Sequence, residues 1–511
     1  MRAAETDVLI AGFGPTGATL AALLGIYGVR AIVTDPAREV YRQPRAAHFD
    51  HEIMRVWQRL GIAEQVLPST RAMNAYEFRN GEDQVLMRFR QEGIATPSGW
   101  APSYMFHQPA LEAALRERVT TFSNVDVRLG ISVVAIETNG EAGVTARLVN
   151  DNGEETRVGA QFLVGADGGG SPVRRMIDGE LFDYGFDEPW LVIDTIVKDE
   201  NGLPAHGLQM CDPKRPTTVM PMAPLRRRWE FMLLPRETAE EMLDDARVEA
   251  LLKPWVRPGQ AEIVRKAVYR FHGLVAKEWR KGSVMLAGDA AHQMPPFMGQ
   301  GMCSGIRDAD GLAWRLASVV RGEASPALLD SYQQEREPHV RAIIELAIFM
   351  GRVVCALDPA AAAERDRGML AQRAAHGQAD DPTPPPMETL KSGCLMPSAR
   401  AGHLFPQAMQ ACSAEGVCGR LDDLLGPGFW LIARDADATG AGISWPSGVK
   451  VAVLDRDVSD ESGRLNEWLE ATGAPAVMVR PDRYVFGTGT SDELARALRD
   501  RLGSAPCSAR L

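Results

Sequence analysis

Residues 7–35 constrain what this chain can fold into more than any other stretch. Asp7-Val-Leu-Ile-Ala11 is an apolar run suited to a buried parallel strand, Gly12-Phe-Gly14-Pro15-Thr16-Gly17 follows at once, and residues 18–24 continue as a small-residue helix. The first glycine permits a tight turn, the second lets backbone approach a pyrophosphate, and the third lets helix and strand pack closely. A helix that starts there points unpaired N–H groups at negative charge. A second apolar run, Ala31-Ile-Val-Thr34, ends at Asp35, about twenty residues on, where a carboxylate can take both hydroxyls of an adenosine ribose. Strand, glycines, helix, strand and acid in this order predict a dinucleotide-binding βαβ unit, and hence an α/β fold.

Residues 286–310 carry features suited to a flavin. An apolar strand over 284–287 ends in Gly288-Asp289, and an acid leaving a strand can accept hydrogen bonds from ribityl hydroxyls. Pro295-Pro296 forces an extended path. Gly299-Gln300-Gly301 lets backbone approach a ligand before a helix that should begin near Met302. The positive end of that helix suits the charge a reduced flavin carries at its N1/C2 carbonyl edge. A third strand, Phe162-Leu-Val-Gly-Ala, ends in Asp167-Gly168, with Arg174 and Arg175 close behind.

Together these motifs resemble the single-component flavin aromatic hydroxylases of the para-hydroxybenzoate hydroxylase fold. Gln209-Met-Cys-Asp-Pro-Lys-Arg-Pro216, the stretch from Arg228-Trp-Glu-Phe to Thr238, and Ser331-Tyr-Gln-Gln-Glu-Arg-Glu-Pro-His339 look like the 3-(3-hydroxyphenyl)propionate hydroxylase branch. The likeness covers residues 5–350 and returns at Val477-Met-Val-Arg-Pro-Asp-Arg483. It departs from the branch at Ala47-His48-Phe49-Asp50-His51, near the expected flavin face, and at Gly311, where an Asn is usual.

The resemblance implies a noncovalent FAD whose ADP half lies on the first motif and whose ribityl and ring half lies on the Gly288-Asp289 stretch. The Asp167-Gly168 motif serves FAD and the nicotinamide nucleotide, with Arg174 offering charge. Arg45 reaches the pyrophosphate side, Gln108 stands at a helix start beside the flavin, and the Pro295 carbonyl faces the substrate hydroxyl. NADH or NADPH reduces the flavin, O2 adds at C4a, and the hydroperoxide delivers oxygen ortho to a phenol hydroxyl. A 3-(3-hydroxyphenyl)propanoate-like phenol is the implied substrate. Arg226 to Arg228 read as an exposed turn, which leaves no arginine for a substrate carboxylate and keeps a polycyclic phenol in contention. An FAD oxidoreductase that inserts no oxygen, or a flavin-stabilised binding protein, also stays open.

The phenol must ionise, which calls for a base or donor network within hydrogen-bond reach. His48 is the candidate base; His51, His107 and His292 also lie near the motifs, and each reads equally as a packing histidine. Met220, Met222, Trp229 and Phe231 are pocket candidates on strand-like runs, where apolar residues are also ordinary core.

The motifs are spread along the chain, so the FAD domain should be discontinuous: residues 1–75, 105–187 and 276–375. Residues 76–104 and 188–275 should form an inserted mixed β-sheet over the flavin. A Pro-rich linker, 376–394, leads to residues 395–511, whose β/α pattern resembles a thioredoxin-like domain without Cys-x-x-Cys. An interface or stabilising role fits that domain. The 511 residues, 45% hydrophobic and 24% charged, suit a globular protein of two or three domains. The net charge of −11 argues against nucleic acid. No apolar run approaches a membrane span, and Asp7 follows too soon for a signal peptide. Seven cysteines without regular spacing predict free thiols and a cytoplasmic setting. No metal-ligand pattern appears; a homodimer is compatible with the sequence.

Overall fold

The computed structural model describes residues 5–42, 45–138, 140, 143–376, 387–440, 442–446 and 448–503. Thr6–Ala11 is central in an eight-stranded sheet. Ala31–Asp35 and then Val125–Leu129 lie on one side of it, Glu155–Gly165 and then Val284–Leu286 on the other, all parallel. Apart from Thr6 and Thr34, the buried positions of these strands are apolar or glycine, because helices cover the sheet. The register sets Ala11 opposite Gly165, and Gly165 opposite Leu286. Three loops far apart in sequence therefore leave the same edge of the sheet, where ligands of open α/β sheets bind. Helices Pro15–Ile26 and Gly301–Val320 cross so closely that a Cβ at Gly305 would run into Thr16.

A second eight-stranded sheet runs from His292–Gln293 through Ala261–Ala276, Leu181–Val197, Arg226–Met232, Thr217–Pro221, Gly207–Met210 and Ala75–Arg79 to Val85–Arg90. It is antiparallel except where Gly207–Met210 meets Ala75–Arg79. Leu191, Ile193, Trp229 and Phe231 on one face pack with Met242, Val248 and Leu252 from the short helices behind them. The exposed turn read at Arg226 to Arg228 is instead the start of strand Arg226–Met232. Arg227 and Arg228 are buried, because residues 223–226, not the arginines, close the hairpin.

In the C-terminal part, Phe429–Ala433 pairs in parallel with Val449–Val453 and antiparallel with Ala476–Val479, which pairs with Val485–Gly489; helix Ser491–Leu502 follows. This 2-1-3-4 order is thioredoxin-like. The expectation of free thiols needs correction. Cys412 and Cys418 face each other on adjacent antiparallel strands with Cα atoms 4.1 Å apart, and they form a disulfide. A pairing across a hairpin leaves no Cys-x-x-Cys signature. Cys211, Cys303, Cys355 and Cys394 are free. The proline run at 380–386 lies outside the described residues.

Buried ion pairs bind this part to helices His51–Leu60 and Asp330–Val354. Arg55 makes two bonds to Asp422, at 2.8 and 2.7 Å. Arg480 bridges Glu335, on the long helix Asp330–Val354, and Asp482. Among the described residues no helix is long and apolar enough to cross a membrane.

Candidate flavin and substrate site

A cavity of about 1390 Å³ lies between the loop edge of the first sheet and the inner face of the second. At one end Gly12, Gly14, Pro15, Thr16, Asp35, Asp167 and Gly168 line it. Gly12 has φ +106°, and a Cβ there would run into the Ala166 carbonyl, so only glycine fits. Gly14 caps helix Pro15–Ile26 with no side-chain bond to the first turn, and a Cβ on it would meet no protein atom within 4 Å. Open N–H groups behind a bare backbone form the cradle a pyrophosphate needs. Asp35 accepts from Phe13 N and Ala37 N, both at 2.7 Å, one on each oxygen; a lone pair on each remains for ribose hydroxyls. Asp167 accepts from Val173 N at 2.9 Å and from the Ser171 hydroxyl, which fixes the following turn at Gly168, φ +81°.

Three residues expected at the cofactor do not line this cavity. Gly17 lets the helix pack on Gly12. Gly288 donates its N–H to Asp308 at 3.0 Å. Arg174 is buried, with its guanidinium on the carbonyls of Ala290 and Gly169, each at 2.7 Å. It clamps two motif loops together. Its basic appearance in the sequence concealed the carbonyls that loop ends leave to be satisfied.

Farther along, Asp289, Gly299, Gln300, Gly301, Met302, His48, Arg45 and Gln108 line the cavity. Among the described residues none donates to the Asp289 carboxylate, and the residue is exposed at the cavity, which leaves its oxygens open to hydroxyl donors. Below it, buried Asp308 accepts from Gly288 N, His292 Nε2 at 2.6 Å and Arg336 Nε at 2.9 Å. His292 is thus a structural partner of the loop. The Asp308 carboxyl is held down to about 2 against its burial by His292 and Arg336. Gln108 accepts from the backbone N–H groups of Arg45 and Ala46, at 2.7 and 2.6 Å, and so shapes the loop that carries Arg45.

Helix Gly301–Val320 begins with no side-chain cap, and its first residues line the cavity. Gly299, φ +62°, lies so near His48 that a Cβ would sit 2.9 Å from the ring. His48 Nδ1 is 3.1 Å from the Gly299 carbonyl, so it carries the proton. Burial lowers the pKa of His48 and keeps the ring neutral. Nε2 is then an acceptor. His51 also faces the cavity, bonded to Ser98 Oγ at 3.0 Å, whereas Phe49 is core, stacked on Tyr104. His107, pushed down to about 4 by burial and Arg226, lies outside the lining. Pro295 is buried and outside it too; Pro296, with Phe297 and Met298, faces in. The proline of the pair that lines the cavity is thus Pro296 and not the expected Pro295.

Alternation along strands corrects the pocket candidates. Trp229 and Phe231 point to the helix-covered face, and Met222 packs with Met73 and Met105. Met220 lines the cavity, with Arg228 and Glu230, which alternate with the two rejected aromatics along the strand. Arg228 makes two bonds to Asp194, at 2.7 and 3.1 Å, and one to the Arg45 carbonyl at 2.8 Å. Tyr76 and Thr218 both donate to Gln209 Oε1, at 3.2 and 2.9 Å. Phe297 rests edge-on against Trp190 and Phe271, at 5.8 and 6.4 Å between centroids, and so joins the Pro296 turn to the second sheet. The polar residues of this wall escaped the sequence reading, although alternation along 226–232 already put Arg228 and Glu230 on one face.

The family described as FAD binding domain matches residues 5–347, and the HcaD C-terminal domain matches residues 446–503. The chain belongs to the FAD-binding flavin hydroxylase family. This flavoprotein is 39% identical to a probable NADH-specific resorcinol 4-hydroxylase of Rhodococcus jostii (strain RHA1), over 94% of this chain and 91% of the relative. It is 36% identical to a 3-(3-hydroxy-phenyl)propionate/3-hydroxycinnamic acid hydroxylase of Mycobacterium sp. (strain JLS), over 98% and 85%. In fold it matches the flavin-dependent monooxygenase PieE, solved with FAD and substrate, at a TM-score of 0.80 and 22% identity, over 98% of this chain and 99% of that one. The glycine cradle, the unpartnered Asp289 and the uncapped helix start fit FAD, the cofactor of the flavoprotein.

Proposed function

We propose that this flavin-dependent hydroxylase uses NADH and O2 to hydroxylate a phenol with a second substituent meta to its hydroxyl, at a ring carbon ortho to that hydroxyl. The reading rests on one observation: a single cavity joins the dinucleotide cradle to an aromatic-walled face, with neutral His48 at the junction. The substrates named for the two relatives, resorcinol and 3-(3-hydroxyphenyl)propionate, are both meta-substituted phenols, and position 4 of resorcinol is ortho to one of its hydroxyls. The NADH choice follows the first of these relatives.

FAD held by the Gly12–Gly14 cradle, Asp35 and Asp289 would supply the redox chemistry that links NADH to O2. The chain's own residues do the rest. Asp289 holds ribityl hydroxyls, and the first turn of Gly301–Val320 favours negative charge on the reduced ring. His48 gives Nδ1–H to Gly299 and uses Nε2 to take the phenol proton, which a hydroxyl of pKa about 10 does not release unaided at neutral pH. Ionisation raises electron density at the ortho and para carbons. Phe271, Phe297, Met298 and Met350 enclose the ring and exclude water.

The test is NADH oxidation by the purified holoenzyme across a panel of meta-substituted phenols, with products identified. Ortho-hydroxylated product matching NADH consumed is expected. NADH use that gives only hydrogen peroxide with every phenol would defeat the reading.

A further inference from the structure

Cross-strand register places Glu230 beside Thr218, and Thr218 beside Gln209, in one row across the inner face of the second sheet. The hydroxyl donors of that row are committed. Thr218 and Tyr76 both bond to Gln209, and Arg228 and Arg265 are drawn to Asp194. Glu230 differs. It lines the cavity at 9% exposure, and among the described residues nothing hydrogen-bonds to its carboxyl, the nearest cation being Arg228 at 3.8 Å. A buried carboxyl with open acceptor positions is costly unless a ligand donates to it.

We propose that Glu230 is the specificity residue of this site and receives a neutral donor on the ring's second substituent, such as the meta hydroxyl of a 1,3-benzenediol. The inference rests on the phenol hydroxylase reading above. A carboxylate-bearing phenol meets the opposite situation: Arg228 and Arg265, the arginines that act on Glu230, each bond to Asp194, and a second anion beside Glu230 would force one acid to take up a proton. Burial already pushes the Glu230 pKa up, which makes an added negative charge still less welcome.

The experiment uses FAD-loaded enzyme with resorcinol, 3-methoxyphenol, which lacks the second donor, and 3-(3-hydroxyphenyl)propanoate. Wild type is expected to favour resorcinol over each competitor by roughly tenfold or more in kcat/KM. Glu230→Gln should shrink both ratios, chiefly through KM, and raise turnover of the carboxylate substrate. Glu230→Asp, which keeps the charge, should preserve the order of preference. FAD content and melting temperature show whether each variant is folded; a simple folding defect would lower all three substrates together and leave the ratios unmoved. A wild-type preference for the carboxylate substrate, or ratios unchanged in folded Glu230→Gln, overturns the inference while leaving the hydroxylase reading intact. Hydroxylation of none of the three overturns both.

Discussion

Two side chains at the cavity carry distinct loads. Asp289 is aimed at hydroxyl donors, and Asp289→Ala removes their acceptor at a cost of about 1–3 kcal/mol, roughly a ten- to hundredfold loss of FAD affinity. Flavin per chain after dialysis measures it, and wild-type retention would show that Asp289 does not hold the cofactor. His48→Ala should leave FAD in place and slow product formation about a hundredfold; an unchanged rate would remove His48 from proton transfer. Attachment should be noncovalent. Cys303 is buried with its thiol pKa pushed up, and His292 is committed to Asp308, so all yellow colour should leave the polypeptide on denaturation. Glycines and acids at strand ends were legible in the sequence because a turn with φ +106° at Gly12 admits little else. Which of two adjacent prolines faces inward was not legible, since Pro295 and Pro296 share composition and differ only in orientation.

At the scale of elements, the loop 286–301 depends on Asp308 beneath it. Its pKa of about 2 lies below the ordinary 3.8, so between those values the native state binds fewer protons than the unfolded chain. The resulting stability, about 2 kcal/mol, is fully present above about pH 4 and is lost as pH falls toward about 2. Asp308→Asn should flatten that acid transition in a pH series of urea melts. It should also destabilise the protein by about 3–5 kcal/mol at neutral pH, because Arg336 loses its buried partner. A wild-type profile would show that the carboxylate is not what holds the loop. The parallel strands were readable as apolar runs. The face of Arg226–Met232 was misjudged because its basic run resembles a solvated turn, whereas Asp194 across the sheet takes the charge of Arg228, and Glu200 with the Pro204 carbonyl takes that of Arg227.

For the whole molecule, the thioredoxin-like part is held on by buried ion pairs. Arg480→Met removes the guanidinium that joins Glu335 to Asp482, leaving Glu335 with Arg315 alone and Asp482 without the arginine it bonds, and about 3–5 kcal/mol of stability should go with it. Loss of the exposed Arg456–Asp457 pair should leave the urea midpoint where it is. Equal midpoints in the two variants would mean that the interface charges contribute little. No pattern in the sequence marks these pairings, since Arg55 and Asp422, or Glu335 and Arg480, meet only in the folded chain. The three flavin motifs were legible because each is local; their convergence follows from adjacent parallel strands. All of this geometry serves one claim, that the cavity delivers an oxygen atom from O2 to a phenol. The most direct test is turnover of resorcinol with NADH under dioxygen labelled with oxygen-18, with mass spectrometry of the product. One labelled oxygen per hydroxylated ring is predicted; a product oxygen drawn from water, or NADH oxidation with the ring unchanged, would contradict the account.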